Sequence, residues 1–431
     1  MPSASAMTIA VSALKAQQQA LSGVSNNLAN SSTVGYKAND TRFISLVTTP
    51  YTDNAVGSGG GVRAVTRQNV LAQGATTSTS NSTDMAINGN GMFCVTRKSN
   101  GTDNPTELSY TRDGEFSVDS NGYLSFGQEY YLEGYSYSYD SATGTTTPSS
   151  NLAAIQVNDG SQRWKPTASV ALDANLPMSM SDAAVSSGTA STVNTTTTVY
   201  DSSGASHTVT MAFSTDTGTA DQWTVSLSSS DSTLTFSPSS YDVSFNGSTG
   251  AIASVAPTGS TAISGFAPSV TITIGNSTPA QTQSVSFDFA DLSQYNSGSD
   301  FSLTSINQDG YPPSGYSGVA IDTDGTITAK YSSGLKMVVG KVVLANFTNA
   351  NGLEVLSNGL YQESTNSGQA MIGTAGENGT GTILSETLES STTDTGTEFT
   401  KMIVAQQAYS AASQVVSTSK SMFEDLVSAV R

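Results

Sequence analysis

Cysteine, histidine and charge are scarce in this chain of 431 residues. Cys94 is the only cysteine, so no internal disulfide is possible. It stands in the strand-like run GNGMFCVTR and reads as a small buried apolar residue rather than a reactive thiol. His207 is the only histidine, which excludes multi-histidine zinc sites, and the single cysteine excludes cysteine-rich ones. No constellation of acids supports carboxylate chemistry; a non-enzymatic role is expected. No apolar run approaches the roughly 20 residues that span a bilayer, so membrane insertion is not expected. No Lys or Arg precedes an apolar stretch near Met1, so an ordinary secretory signal is not expected. Only 12% of residues are charged and the net charge is −18, which argues against nucleic acid and anionic membrane surfaces as partners.

Cofactor and metal motifs are missing as well. The run GTAGENGTG at 373–381 lacks the Gly-Lys-Ser/Thr that completes a phosphate loop. Asp322-x-Asp324-Gly325 lacks the further ligands of a calcium loop and reads as a hairpin turn. No cofactor is expected.

What is present begins at the chain ends. Steps of three and four from Met402 give Met402, Ala405, Tyr409, Ala412, Val416, Ser419, Phe423, Leu426 and Val430. That is a sustained heptad with no Gly or Pro, a helix of roughly 50 Å. The same spacing from Met7 gives Met7, Ala10, Leu14, Gln17, Leu21, Val24 and Leu28, and Lys15 is the only charge between Met1 and Asn30. Two nearly uncharged amphipathic helices suit protein contact on several sides. The expectation is a paired α-helical coiled coil whose other faces meet further copies of the chain. Tyr409, Val416 and Phe423 are expected to face the N-terminal helix, and the Ala- and Ser-rich flanks to face neighbours.

Between these ends the pattern is mainly β. The predicted organisation is a helical polymerisation core at 1–30 and 396–431, an extended linker at 31–70, a discontinuous β domain at 71–140 and 301–395, and an inserted outer β domain at 141–300. The GSGGG run at Gly57–Gly61 favours a loop. Asp113-Gly114 and Asn121-Gly122 suit type I′ hairpin turns. Short alternating runs such as HTVTMAF and SVTITI, set among Ser, Thr and Gly, suggest a β-sandwich or barrel insert.

The flanks carry a resemblance. In NNLANSSTVGYK, Ala29, Asn30, Thr33, Gly35, Tyr36 and Lys37 stand where the rod and hook proteins of the bacterial flagellum have Ala-Asn-x-x-Thr-x-Gly-Tyr-Lys. AINGNGMFCV, YTRDGEFSVDSNGYL, VVLANFTNANGLE, GTGTILSETLE and AQQAYSAASQVV are similar to further stretches of that family. The resemblance covers about 1–140 and 300–431. It departs at LESSTTD, where Thr392-Thr393 replace the usual Asn-Val, and at Gln407, where Arg is usual. The insert and the IDTDGTITAKYSSG region favour a hook protein over a distal rod or hook-associated junction subunit; a β-rich surface adhesin is the alternative of another class.

The resemblance implies a structural subunit that polymerises into a curved hollow tube outside the cell, a universal joint passing torque from rod to filament. Its implied partners are itself, rod subunits, a hook cap protein, hook–filament junction proteins and the flagellar export apparatus. Export without a cleaved secretory signal is implied too.

Overall fold

The computed structural model describes residues 2–47, 59–97, 108–127, 129–140, 142–274, 281–296 and 300–429. It holds three helices, α1 (Pro2–Ala29), α2 (Met178–Ser187) and α3 (Thr395–Ala429), within a mainly β chain. α3 starts at Asp394, whose Oδ1 accepts a bond from Thr397 N at 2.6 Å. This caps an otherwise orphaned amide, and Glu398 in the first turn suits the positive helix end.

α1 and α3 lie against each other. Asn27, near the end of α1, donates to Glu398 at the start of α3 at 3.1 Å, and Gln17 and Ala20 share a groove with Ala405. The two helices therefore run antiparallel. Small residues form the covered line: Ala10, Ala16, Ala20 and Val24 are buried on α1, and Ala405 on α3.

Residues 31–70 are not the extended linker that the composition suggests. β1 (Asn39–Val47) and β2 (Gly59–Gln68) pair antiparallel in an isolated ribbon, with Arg42 opposite Val65 and Ile44 opposite Arg63. Glycines 59–61 belong to β2, while Gly57 lies outside the described residues. The ribbon is laid on α1 by polar contacts. Ser12 Oγ accepts from Val62 N at 3.1 Å and Gln19 donates to Thr66 at 3.4 Å.

Strands from both flanks interleave in the next layer. One sheet runs from Tyr316–Ile321 through Thr326–Tyr331, Lys336–Asn346, Tyr130–Asp140, Met92–Arg97 and Leu108–Thr111 to Leu360–Gln362 and Glu354–Val355. Its core gathers Met85, Phe93, Phe116, Leu132, Val342 and Ile383. Thr145–Ala154 pairs with Tyr130–Asp140, and Ile155 and Val157 join this core, so the domain extends past residue 141. The outer insert consequently begins at Ser169–Asn175 and closes with Ser302–Gln308. It contains a five-stranded and a six-stranded sheet around one core, with Phe213, Trp223 and Tyr241 from the first and Val170, Ile272 and Phe287 from the second. A strap of two short strands, Arg163–Lys165 and Tyr311–Ser314, carries the chain into the insert and out of it. Asp309 fastens the neck: its Oδ1 accepts from Ala168 N at 2.8 Å and its Oδ2 pairs with Lys165 at 2.9 Å.

The turn expectations are corrected in detail. Asn121 does not take positive φ; Asp119 Oδ1 instead accepts from Asn121 N and Tyr123 N, with Gly122 alone at φ +80°. Gly114 is not a hairpin glycine at all. Its backbone passes so close to Met85 that a Cβ would sit 1.6 Å from the Met85 carbonyl oxygen.

Candidate assembly interface

The motif at the end of α1 builds a buried junction that ties both chain ends to the β domain. Lys37 Nζ donates to Glu389 Oε1 at 2.6 Å and to the Ala72 carbonyl at 2.5 Å. Arg112 Nη1 reaches Glu389 Oε2 at 3.4 Å while its Nη2 donates to Gly89 O at 2.8 Å. Gly74 N adds a bond to Glu389 Oε1 at 2.7 Å. All three charged side chains are buried. Burial pulls the Lys37 ammonium below its usual range, with Glu389 opposing and Arg112 adding to the fall. Burial likewise lowers Arg112, against the pull of Glu389. A dry carboxylate held by two cations and an amide is strongly committed to one geometry.

Around this knot the backbone is stitched across more than 350 positions of sequence. Gly35 N donates to Glu389 O at 2.7 Å, and Thr392 N donates to Tyr36 O at 3.0 Å. Thr392, which replaces the family's usual Asn, accepts Ala38 N on its hydroxyl at 2.8 Å. The replacement therefore still clasps the N-terminal segment. Gly35 has φ +66°, and a Cβ there would sit 2.7 Å from Asp113 N, so glycine fits on two counts. Tyr36 Oη donates to Asn27 Oδ1 at 3.1 Å, and burial raises its phenol above the ordinary value. Asn30 holds the helix end through Asn26 O, and Thr33 bonds back to Asn30 Oδ1. Ala29 and Thr33 are exposed.

The helices place the predicted interface residues unevenly. Val24 is buried. Leu14, Leu21, Leu28, Met402 and Val416 are half-buried. Met7 is exposed. Tyr409 and Phe423, expected to face α1, are 46% and 58% exposed. The side chain of Leu426 and all of Val430 lie outside the described residues. Ala405 is the buried member of that line, Met402, Ala408, Ala412 and Val416 are half-buried, and Tyr409 and Phe423 are left exposed. Length explains Phe423: α3 has 35 residues against 28 in α1, so counting back from the Asn27–Glu398 contact α1 has run out near its level.

A second apolar line was not read from the sequence. Val404, Ala411, Val415 and Met422 follow one another at steps of seven, four and seven, roughly a quarter turn from the face on α1. All four are exposed, Val404 at 59%. The signal was present, but a dominant stripe through Met402 masked it. Glu389, Arg112, Asn27 and Glu398 carry no signal in the sequence that assigns them to this junction, since Lys37 already has Asp40 three residues away.

Comparison with known proteins follows this division. Residues 7–37 match the flagella basal body rod protein model, 86–180 the flagellar hook protein FlgE/F/G D1 domain, 171–311 the flagellar basal body protein FlaE D2 domain, and 384–429 the flagellar basal body rod FlgEFG protein C-terminal model. The flagellar hook protein FlgE of Salmonella typhimurium is 31% identical, covering 97% of this chain and 98% of its own. Those of Brucella suis and Rhizobium meliloti are each 32% identical over 99% of this chain and 98% of theirs. A solved structure of Helicobacter pylori flagellar hook protein FlgE2 aligns with TM-score 0.45 at 15% identity, over 71% of this chain and 98% of that one. The chain belongs to the flagellar hook protein FlgE family.

Proposed function

We propose that this chain is the subunit of a flagellar hook, polymerising into a curved hollow tube that passes torque from rod to filament as a universal joint. The exposed second line on α3 carries the reading. Val404, Val415 and Met422 present apolar surface to water on a helix whose other face already meets α1. Burying such side chains is worth about 1.5–3 kcal/mol each, enough to drive association of many copies. A contact between unlike patches of identical copies does not close on itself and yields a helical array.

In this reading α1 and α3 act as a two-helix coiled coil in the tube wall, with Met7, Tyr409 and Phe423 turned to neighbouring subunits. The insert lies at larger radius, where Ser- and Thr-rich surfaces let copies slide as the tube bends. Rod subunits, a cap protein and hook–filament junction proteins are the partners at the two ends. Export through the flagellar apparatus suits a chain whose single cysteine, Cys94, is buried. A hook rather than a distal rod subunit is supported by the D2-domain match at 171–311, which falls on the insert.

Electron microscopy of purified, concentrated protein tests the proposal. Tubes are expected from the native chain and none from Val404→Asp combined with Met422→Asp, with Trp223 fluorescence unchanged. Tubes of normal length from that variant would refute the assignment of the second line.

A further inference from the structure

Charge is divided unequally along this acidic chain. Residues 1–70 carry five Lys and Arg against two acids, and the remainder carries eleven against thirty-two. Three of the seven arginines, Arg42, Arg63 and Arg67, fall on the ribbon. Pairing of Arg42 with Val65, Ile44 with Arg63 and Asp40 with Arg67 puts all three on one face, together with Ile44 and Leu46. The opposite face holds Thr41, Ala64 and Thr66, which lie toward α1. The outward face is therefore basic and apolar. Arg42 meets Asp40 at 3.4 Å, whereas Arg63 and Arg67 are exposed and make no ion pair among the described residues.

The complement lies in the β domain. A cleft of about 820 Å³ is lined by Asp84, Asp113, Glu115 and Glu129, with Phe116 and Tyr130 supplying apolar wall and no Lys or Arg. Glu129 pairs with Arg97 at 2.7 Å; the other three acids have no cation among the described residues. Asp84 is 1% exposed; its Oδ2 accepts from Asn81 Nδ2 at 3.3 Å, and its Oδ1 has no hydrogen-bond partner among the described residues. A buried carboxylate oxygen without a donor is costly, so the acidic side of this cleft is poorly compensated within the chain. Asp113 is pushed up to about 6 by burial, with Glu115 and Asp84 adding to the rise.

We propose that the outward face of the β1–β2 ribbon of one copy docks into this acidic cleft of the next copy, Arg63 and Arg67 facing Asp113 and Glu115. The docking rests on the polymer reading above. Each copy gives a ribbon and receives one, a head-to-tail contact that extends without closing. Planar guanidinium groups suit paired carboxylates, and Ile44 and Leu46 bring apolar surface to Phe116 and Tyr130.

Cross-linking in assembled protein tests it. Arg63→Cys and Glu115→Cys placed in one chain should give a ladder of disulfide-linked multimers on a denaturing gel. Mixing the two single variants should give dimers only. Native Cys94 is fully buried and stays out of the reaction. A double variant that stays monomeric, or stops at dimers, overturns the docking. In parallel, Arg63→Glu with Arg67→Glu should raise the critical concentration for assembly at least tenfold, and adding Glu115→Arg should recover part of the loss. Tubes from the native chain with no effect of the charge reversal would sink the docking and leave the polymer reading intact. Failure of the native chain to assemble would overturn both.

Discussion

Replacing Glu389 by alanine removes the one acid that answers Lys37 and Arg112. Both cations stay buried, and Lys37 keeps only the Ala72 carbonyl. Stranding a charge in this way costs about 3–5 kcal/mol, which is about two to nearly four orders of magnitude in a local opening equilibrium. Glu389→Gln keeps an acceptor for Lys37 Nζ and Gly74 N but not the charge, so about half the loss is expected. Lys37→Met added to Glu389→Gln should cost less than the two single changes summed, because the pair is coupled. Amide exchange read by mass spectrometry is the assay. Gly35 N and Thr392 N bridge the two segments, and Ser390 N bonds Ala75 O at 2.7 Å, so protection there reports the knot. Trp223 is buried in the insert core and, with Trp164 replaced by Phe, serves as an internal control. The reasoning is refuted if protection at Gly35, Ser390 and Thr392 falls less than threefold in Glu389→Ala, or if Trp223 fluorescence shifts in step with it.

Further outcomes follow from other parts of the molecule. Asp113 binds its proton between about pH 4 and 6 in the folded chain, where an unfolded aspartate has lost it. Stability should therefore fall as pH rises through that window, by at most about 3 kcal/mol, and urea midpoints of Asp113→Asn should show a weaker slope. Excising residues 169–308 should leave the β domain folded, since Lys165 and Asp309 already close the neck; loss of the 93–342 core by circular dichroism and exchange would count against it. Tubes of unchanged curvature from the same deletion would show that the insert takes no part in bending. Leu21→Asp puts a charge at a half-buried position of α1 and should abolish assembly with the insert still folded, as Trp emission would show.

Helices at the two ends were legible because charge-poor 3-4 patterns without Gly or Pro have few other solutions. Their facing was not. Size is a poor guide to burial here: the small Ala20 and Ala405 share the groove between the helices, while Tyr409 and Val404 are exposed. In a chain that assembles, the larger apolar face can be the one kept free. Alternation in GVRAVTRQNVLAQG shows the second strand of the ribbon, but nothing in the sequence pairs it with Asn39–Val47, which reads as linker. The knot was beyond reach in principle: Lys37 and Glu389 are 352 positions apart, and a single sequence does not reveal which Glu answers which Lys.

The strap of Arg163–Lys165 and Tyr311–Ser314 has a mechanical meaning. Two short hydrogen-bonded strands side by side make a narrow leaf, easier to bend across its face than within it. Lys165 and Asp309 clamp one end of the leaf, and the Arg163 guanidinium over the Tyr139 ring, 5.3 Å from its centroid, steadies the other. An outer module hung on such a leaf tilts about one axis and resists twisting about the others. A ring of these leaves would yield to flexure of the tube while remaining hard to wring.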